Sequence, residues 1–461
     1  MLINHVHVIH SYANLSKVWG TVLISLVSLS SHSYAVGSDF HINDLITKAI
    51  QTYPSVEAAR FNQKSSVENI SAAKLNLLPT PSITSEYGEN DFNSQIRIRQ
   101  PLWTGGILTA NVNQAIFNDK AATERIYEQQ NQVAKSTIEA WQGYIQAIAR
   151  QHIHLDSLDQ LNEFEQMMQR RVDQGVSARI ELDLVTNRIL QEQTAYQAAV
   201  EQQRIATARL EQIIGHPLPQ ARISNIKTLT KQAKYLSAGF EDLAFNQASF
   251  YNPTVVKEHF QIEAAKQEVE AQRAARYPTI YAQYEHSYYQ QNDRNDLRSR
   301  DDGVFSIGLT YDPGAGFSNL ALTRASQAQV NSLVQSQQAS RRRVLEEIQI
   351  QYQQFVSAKD RETSLVAAAA GAQIVVNSYR RQFIAGRKSW LEVLNAVREQ
   401  NEYQVQLVQA RADLLGAFYK LQVDFGLMDW QQFARNRDPI PLFKPLDPVR
   451  EWLNDQDTVN R

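Results

Sequence analysis

The chain contains no cysteine. That excludes a disulfide framework, thiolate zinc sites, a cysteine nucleophile and lipidation through an N-terminal Cys. Glycine and proline are sparse, 17 and 13 in 461 residues, which argues against Gly-rich cofactor loops and collagen-like order. Charge of one sign is lacking too. With 46 basic against 48 acidic residues, bulk charge offers no hold on a nucleic acid. Nowhere does an apolar run approach the ~18 residues that a membrane helix needs, so any membrane entry must be made by a closed β-barrel. There is no nucleotide loop, metal-ligand cluster or nucleophile elbow, so neither catalysis nor a metal or cofactor is expected. His152 and His154, two apart on a helix, point to different sides and make a poor metal pair.

What is present begins with an N-terminal signature. A weakly basic start (His5, His7, His10, Lys17) leads into the apolar run WGTVLISLVSL, Trp19 to Leu29, and then Ser33-Tyr34-Ala35. Residues 1–35 read as a secretory signal peptide cleaved after Ala35, with a buried N-terminal helix as the other reading.

The rest of the chain is written twice. Pro54 and Pro79 recur as Pro253 and Pro278, both shifted by 199 positions. Gly175 and Gly215 recur as Gly386 and Gly426, both shifted by 211. The offset changes between Tyr281 and Pro313, where the second copy carries the additional segment QQNDRNDLRSRDDG, expected to form a longer external loop. The expected organisation is a first repeat over 36–220, a second over 221–428, and an extended tail over 429–461 that is rich in proline.

Each copy predicts one very long helix. Thr104 to Asp173 holds no proline, and Ile138, Trp141, Ile145, Ile148, His152 and Leu155 follow the 3-4 spacing of a coiled-coil seam. On that seam His152 reads as a packed histidine. The helix expected from Gly106 to Val172 would be on the order of 100 Å long. Gly175 ends it and a second helix runs to Ile214, while a shorter one covers Ser55 to Leu78. The second copy repeats the pattern at Ser318–Phe383, Ser389–Phe425 and Thr254–Arg276. Narrow apolar stripes among Ala, Gln, Ser and Asn suit a single-layer wall with water beyond it.

Between the helices the period changes to two. Phe305, Ile307, Leu309 and Tyr311 alternate with small or polar residues, and Ile96 and Ile98 alternate with Arg97 and Arg99. Each copy thus supplies one hairpin, about 81–103 and about 279–313, with strands long enough to cross a bilayer at a tilt. Trp103, Tyr281, Tyr284, Tyr288 and Tyr289 are candidates for interfacial belts. From the strands alone, a small soluble sheet with surface tyrosines stays open. If Ile96 and Ile98 face lipid, Arg97 and Arg99 face a lumen. Four strands are too few to close a transmembrane barrel, whose smallest common form has about eight, so other copies of the chain must pair the edges.

These features together resemble the TolC-type outer-membrane efflux family: two strand–helix repeats, QPLWTGG (Gln100 to Gly106) entering the first long helix, and the paired turns VDQGVSARIEL and FIAGRKSWLEVLNA. Within it the chain looks most like the channels of type I secretion systems, including those that export large adhesins. The resemblance implies a mainly α fold with a small β part, three subunits forming a β-barrel in outer-membrane lipid and a long α-helical barrel through the periplasm. It implies a passive conduit, with a periplasmic adaptor and an inner-membrane ABC transporter as partners. A multidrug efflux channel is the nearest alternative, and a secreted coiled-coil interaction protein the alternative of another class.

In this family the periplasmic end is narrowed near the helix turns by ion pairs and hydrogen bonds. The resemblance carries that role onto Phe383, Lys388, Glu392 and Asn395 around Gly386, and onto Glu181 after Gly175. Phe383 lacks the hydroxyl of the archetype, Asn395 replaces a carboxylate, and Lys388 is a point charge rather than an arginine fork. Lys388–Glu181 contacts and a ring of Glu392 are the expected closure. The other reading is that these are solvated helix-turn charges.

Overall fold

The computed structural model describes residues 41–88, 91–218, 225–240, 245–293 and 296–431. The signal-peptide reading and all of the tail after Gln431 lie outside these residues. The chain order is α1 (Ile42–Thr52), α2 (Pro54–Leu75), β1 (Thr80–Tyr87), β2 (Asp91–Trp103), α3 (Ile107–Asp173), α4 (Arg179–Ile214), α5 (Ile226–Leu236), α6 (Phe245–Tyr251), α7 (Pro253–Ala274), β3 (Thr279–Asp293), β4 (Asp296–Thr310), α8 (Asn319–Ile384) and α9 (Trp390–Asp424). The halves match in length: α2 and α7 have 22 residues each, α3 and α8 have 67 and 66, and α4 and α9 have 36 and 35.

Local chemistry sets these boundaries. Pro54 and Pro253 open α2 and α7 at the first helical position, where a missing N–H costs nothing. The Asn252 side chain caps α7 by accepting from the Thr254 amide at 3.0 Å. The short helices α1, α5 and α6 have no counterpart in the periodicity argument, because each is too brief to display one. They gather around the middle of the long helices.

That middle holds the main core. It joins Ile46 and Ala49 of α1, Val133 to Ile145 of α3, Leu210 and Ile214 of α4, and Leu414 to Leu421 of α9. Phe240 is wedged among Phe418, Phe355 and Phe425, with ring centroids 5.4, 5.8 and 6.0 Å away. A buried Phe or Leu contributes about 1.5–3 kcal/mol, so this knot anchors the long helices at their middle. Charged ties surround it. Lys135 bridges buried Asp424 and Glu347, both at 2.7 Å. Burial alone would raise the pKa of Glu362, but hydrogen bonds from Lys234 and Arg411 outweigh it and hold the carboxyl below its usual range. The stretch after α9 is not simply extended: Met428 and Gln431 are buried, and Gln431 donates to the Val423 carbonyl and to Asn131, both at 2.9 Å.

The predicted seam of α3 holds only as far as Ile145. His152 and Leu155 are exposed, and the buried stripe resumes through Ser157, Leu161, Phe164 and Met168. The reason is a change in the set of partners: up to Ile145 the middle core includes α1, whereas beyond it α1 is gone and α3 packs with α4, α8 and α9 in a second core. His154, not His152, is the engaged histidine, 2.6 Å from Glu192.

The strands form one antiparallel sheet in the order β1-β2-β3-β4. A second correction concerns the additional segment QQNDRNDLRSRDDG. It is not a loop: β3 runs to Asp293 and β4 starts at Asp296, with Asp293 paired to Asp296, so the extra residues lengthen both strands.

Candidate functional site

The helix turns come first. Gly175 and Gly386 adopt φ of +71° and +72°. The Val176 amide donates to the Arg171 carbonyl at 2.8 Å, and the Arg387 amide to the Gln382 carbonyl at 2.9 Å, both closing a helix end through a left-handed residue. A Cβ at either glycine would meet nothing within 4 Å, so backbone conformation rather than crowding calls for glycine.

Beside Gly386, α9 opens with a capping box. The Ser389 amide and hydroxyl each donate to Glu392 Oε2 at 2.9 Å, and the Glu392 amide donates to Ser389 Oγ at 3.4 Å. Lys388 Nζ donates to Glu392 Oε1 at 2.6 Å and lies 4.5 Å from the Tyr379 ring centroid. The Lys388 hydrogen bond, followed by those from Ser389, lowers the Glu392 carboxyl to about 2. Lys388 is raised in turn by its bond to Glu392. The pair is a locally neutral unit.

The expected Lys388–Glu181 contact is absent within the chain. Lys388 is taken by Glu392 four residues away on the same helix end, and Glu181 has no side-chain partner among the described residues. Asn395 is exposed. Phe383 is buried instead of lining a free surface: its ring centroid is 4.9 Å from that of Trp390, which meets Phe164 edge-on at 5.5 Å. The Arg171 guanidinium covers Phe383 at 4.8 Å while its Nε donates to Ser177 Oγ at 3.1 Å. Sequence reasoning missed Arg171, Ser177 and Tyr379; only Ser389, three before Glu392, left a readable signal. Around the turns Val176, Ile180, Ile384 and Leu391 stand more than half exposed.

The sheet is the second element of the site, and its two faces differ. Ile83, Tyr87, Ile96, Ile98, Tyr284, Tyr288, Phe305, Ile307 and Leu309 share one face and are exposed there. The opposite face carries Ser82, Thr84, Gln95, Arg97, Arg99, Gln283 and Glu285. Arg97 and Arg99 therefore do lie opposite Ile96 and Ile98, as alternation requires. Arg97 Nε donates to Glu285 Oε2 at 3.1 Å, and Arg97 Nη2 donates to Gln95 at 3.0 Å. The five candidate belt aromatics do not act together. Tyr284 and Tyr288 stand on the apolar face, Tyr281 and Tyr289 on the polar one, and Trp103 packs edge-on against Tyr277 at 6.1 Å.

Among the described residues no helix is long and apolar enough to cross a membrane, and no acidic or histidine cluster suits a metal. A strand set with one bare apolar face, one polar face and two unpaired edges, mounted on helices of about 100 Å, is the build of a channel subunit. The chain belongs to the outer membrane efflux protein family, whose model matches residues 45–216 and 244–424. It is thus an efflux channel of the outer membrane, a conduit and not an enzyme.

Among relatives, it is 23% identical to the alkaline protease secretion protein AprF of Pseudomonas aeruginosa, over 74% of this chain and 70% of that one. It is 22% identical to the outer membrane efflux protein BepC of Brucella suis, over 92% and 91%. Among solved structures, the outer membrane protein VceC of Vibrio cholerae superposes with a TM-score of 0.69 at 15% identity, covering 84% of this chain and 96% of that one.

Proposed function

We propose that this chain is the exit duct of a tripartite export system, working as a homotrimer whose subunits pool four strands each into one closed barrel. The observation that carries this reading is the sheet: among the described residues its apolar face is uncovered and its β1 and β4 edges have no partner. Only further copies can satisfy both in lipid. The long helices continue the lumen across the periplasm, after export directed by residues 1–35. The halves 36–220 and 221–428 are structural repeats. Energy comes from an inner-membrane ABC transporter through a periplasmic adaptor, for which the exposed apolar residues at the turns are a suitable landing surface. Glu181, Asn395 and the Lys388–Glu392 pair line the aperture, with Phe383 holding the turn from inside.

Type I secretion of a protein, such as a large adhesin, is the favoured cargo reading, supported by the likeness to a protease secretion protein. Multidrug efflux is the second reading, supported by the likeness to an efflux protein over nearly the whole chain. The purified protein in detergent should run as a trimer and resist extraction from membranes by urea. A monomer soluble without detergent would end the proposal. Deleting the gene and scoring loss of a secreted protein against gain of drug sensitivity separates the cargoes. For the aperture, Glu181→Ala combined with Lys388→Ala should raise single-channel conductance, and unchanged conductance removes these residues from gating.

A further inference from the structure

We propose that Arg99 is a charge-selecting residue of the duct, biasing passage through the barrel toward anions. The inference rests on the channel reading above, because it takes the polar face of the sheet to line the lumen.

Among the described side chains of that face, two opposite-charge pairs cancel locally. Arg97 is held by Glu285, and Arg300 pairs with Asp302. Arg99 has no carboxylate partner among the described residues: its register neighbours are Thr80 and Gln283, and its Nη2 donates to Thr310 Oγ1 at 3.4 Å. Among the described side chains of the face the remaining carboxylates, Glu86 and Asp91, stand toward the hairpin ends, where the strand positions of Asp293 and Asp296 also fall. Asn93, which pairs with Glu86, lies six positions along β2 from Arg99, or about 20 Å. That is roughly twice the screening length at 0.1 M salt.

The position of Arg99 is also built. Its guanidinium carbon lies 3.5 Å from the Tyr281 ring centroid, a close cation–π stack. The Tyr281 ring in turn lies across Gly308 on β4, where an added Cβ would overlap it. Gly308 and Tyr281 form a platform that fixes the height and direction of the cation. The equivalent register pair in the first hairpin is Ser82 and Arg97, so the platform belongs to the second hairpin alone. In a trimer it recurs around the lumen as a ring of three uncompensated guanidinium groups, and rings of like charge set ion preference. At the turns the Lys388–Glu392 pair is locally neutral and Asn395 carries no charge, leaving Glu181 as the free carboxylate among the aperture residues.

The test is the chloride-to-potassium permeability ratio of purified channels in planar bilayers, read from the reversal potential across a KCl gradient at low salt. Arg99→Gln should lower the ratio by about twofold or more. Glu285→Gln, which frees Arg97, should raise it. Tyr281→Phe keeps the platform and should match the wild type, while Tyr281→Ala should fall between the wild type and R99Q. Conducting R99Q channels with an unchanged ratio overturn this inference alone. Wild-type protein that conducts no current overturns the channel reading and this inference with it.

Discussion

The chemistry at the turn after α8 depends on a few atoms of Glu392. One carboxylate oxygen caps its own helix through Ser389, and the other receives Lys388. Because both bonds favour the charged form, the folded pKa of about 2 lies below the unfolded value of 4.5. The stabilisation is therefore complete above about pH 4.5 and is lost as the pH falls through about 2. Thermal unfolding of wild type and Glu392→Gln should differ at pH 6, and the gap should close toward pH 2. A gap that persists at pH 2 would assign the effect to capping geometry rather than charge. Sequence reasoning named Glu392 and Lys388 but paired Lys388 with Glu181. The i to i+4 partner on the same helix end was nearer, and local spacing prevailed over the distant match.

At the scale of elements, the long helices were legible because a proline-free stretch of this length with paired apolar positions has few other folds open to it. Their boundaries followed from Pro at the first turn and Gly just past the last. At Gly386, with φ of +72° and open space around it, an alanine would cost about 1–2 kcal/mol of backbone strain. Gly386→Ala should lower the thermal midpoint, and Gly386→Asn should lower it less, since Asn tolerates the left-handed region. Equal losses in both would mean that the turn relaxes away from this conformation. The seam of α3 was legible only in part. A heptad argument assumes one set of partners along the whole helix, whereas α3 loses α1 beyond Ile145 and packs with α4, α8 and α9 alone in the second core. That exchange turned His152 outward. The lengthening of β3 and β4 was missed for a related reason: QQNDRNDLRSRDDG has Leu297 as its one large apolar residue, and polar residues inside a hairpin beyond a lipid band look like loop.

For the whole molecule, the decisive quantity is surface left uncovered. Ile307 and Phe305 are 68% and 69% exposed on the apolar face, which water would penalise and lipid would not. Ile307→Lys should destabilise the inserted form by about 2–4 kcal/mol if the residue sits near the bilayer midplane. Its yield in the outer-membrane fraction should fall, while Ser306→Lys on the opposite face should insert normally. Equal behaviour of the two would contradict a two-faced barrel wall.

Periodicity and punctuation, which are properties of neighbouring residues, sufficed to determine the long helices and the presence of two hairpins. Charge pairing and burial are not local in that sense. Whether Lys388 meets Glu181 or Glu392, whether Phe383 lines a pore or fills a core, and whether Arg99 keeps a free charge depended on distances set by chain segments far apart. Tyr281 reaches Arg99 from another strand almost two hundred positions away, and only the register of the folded sheet brings them within 3.5 Å.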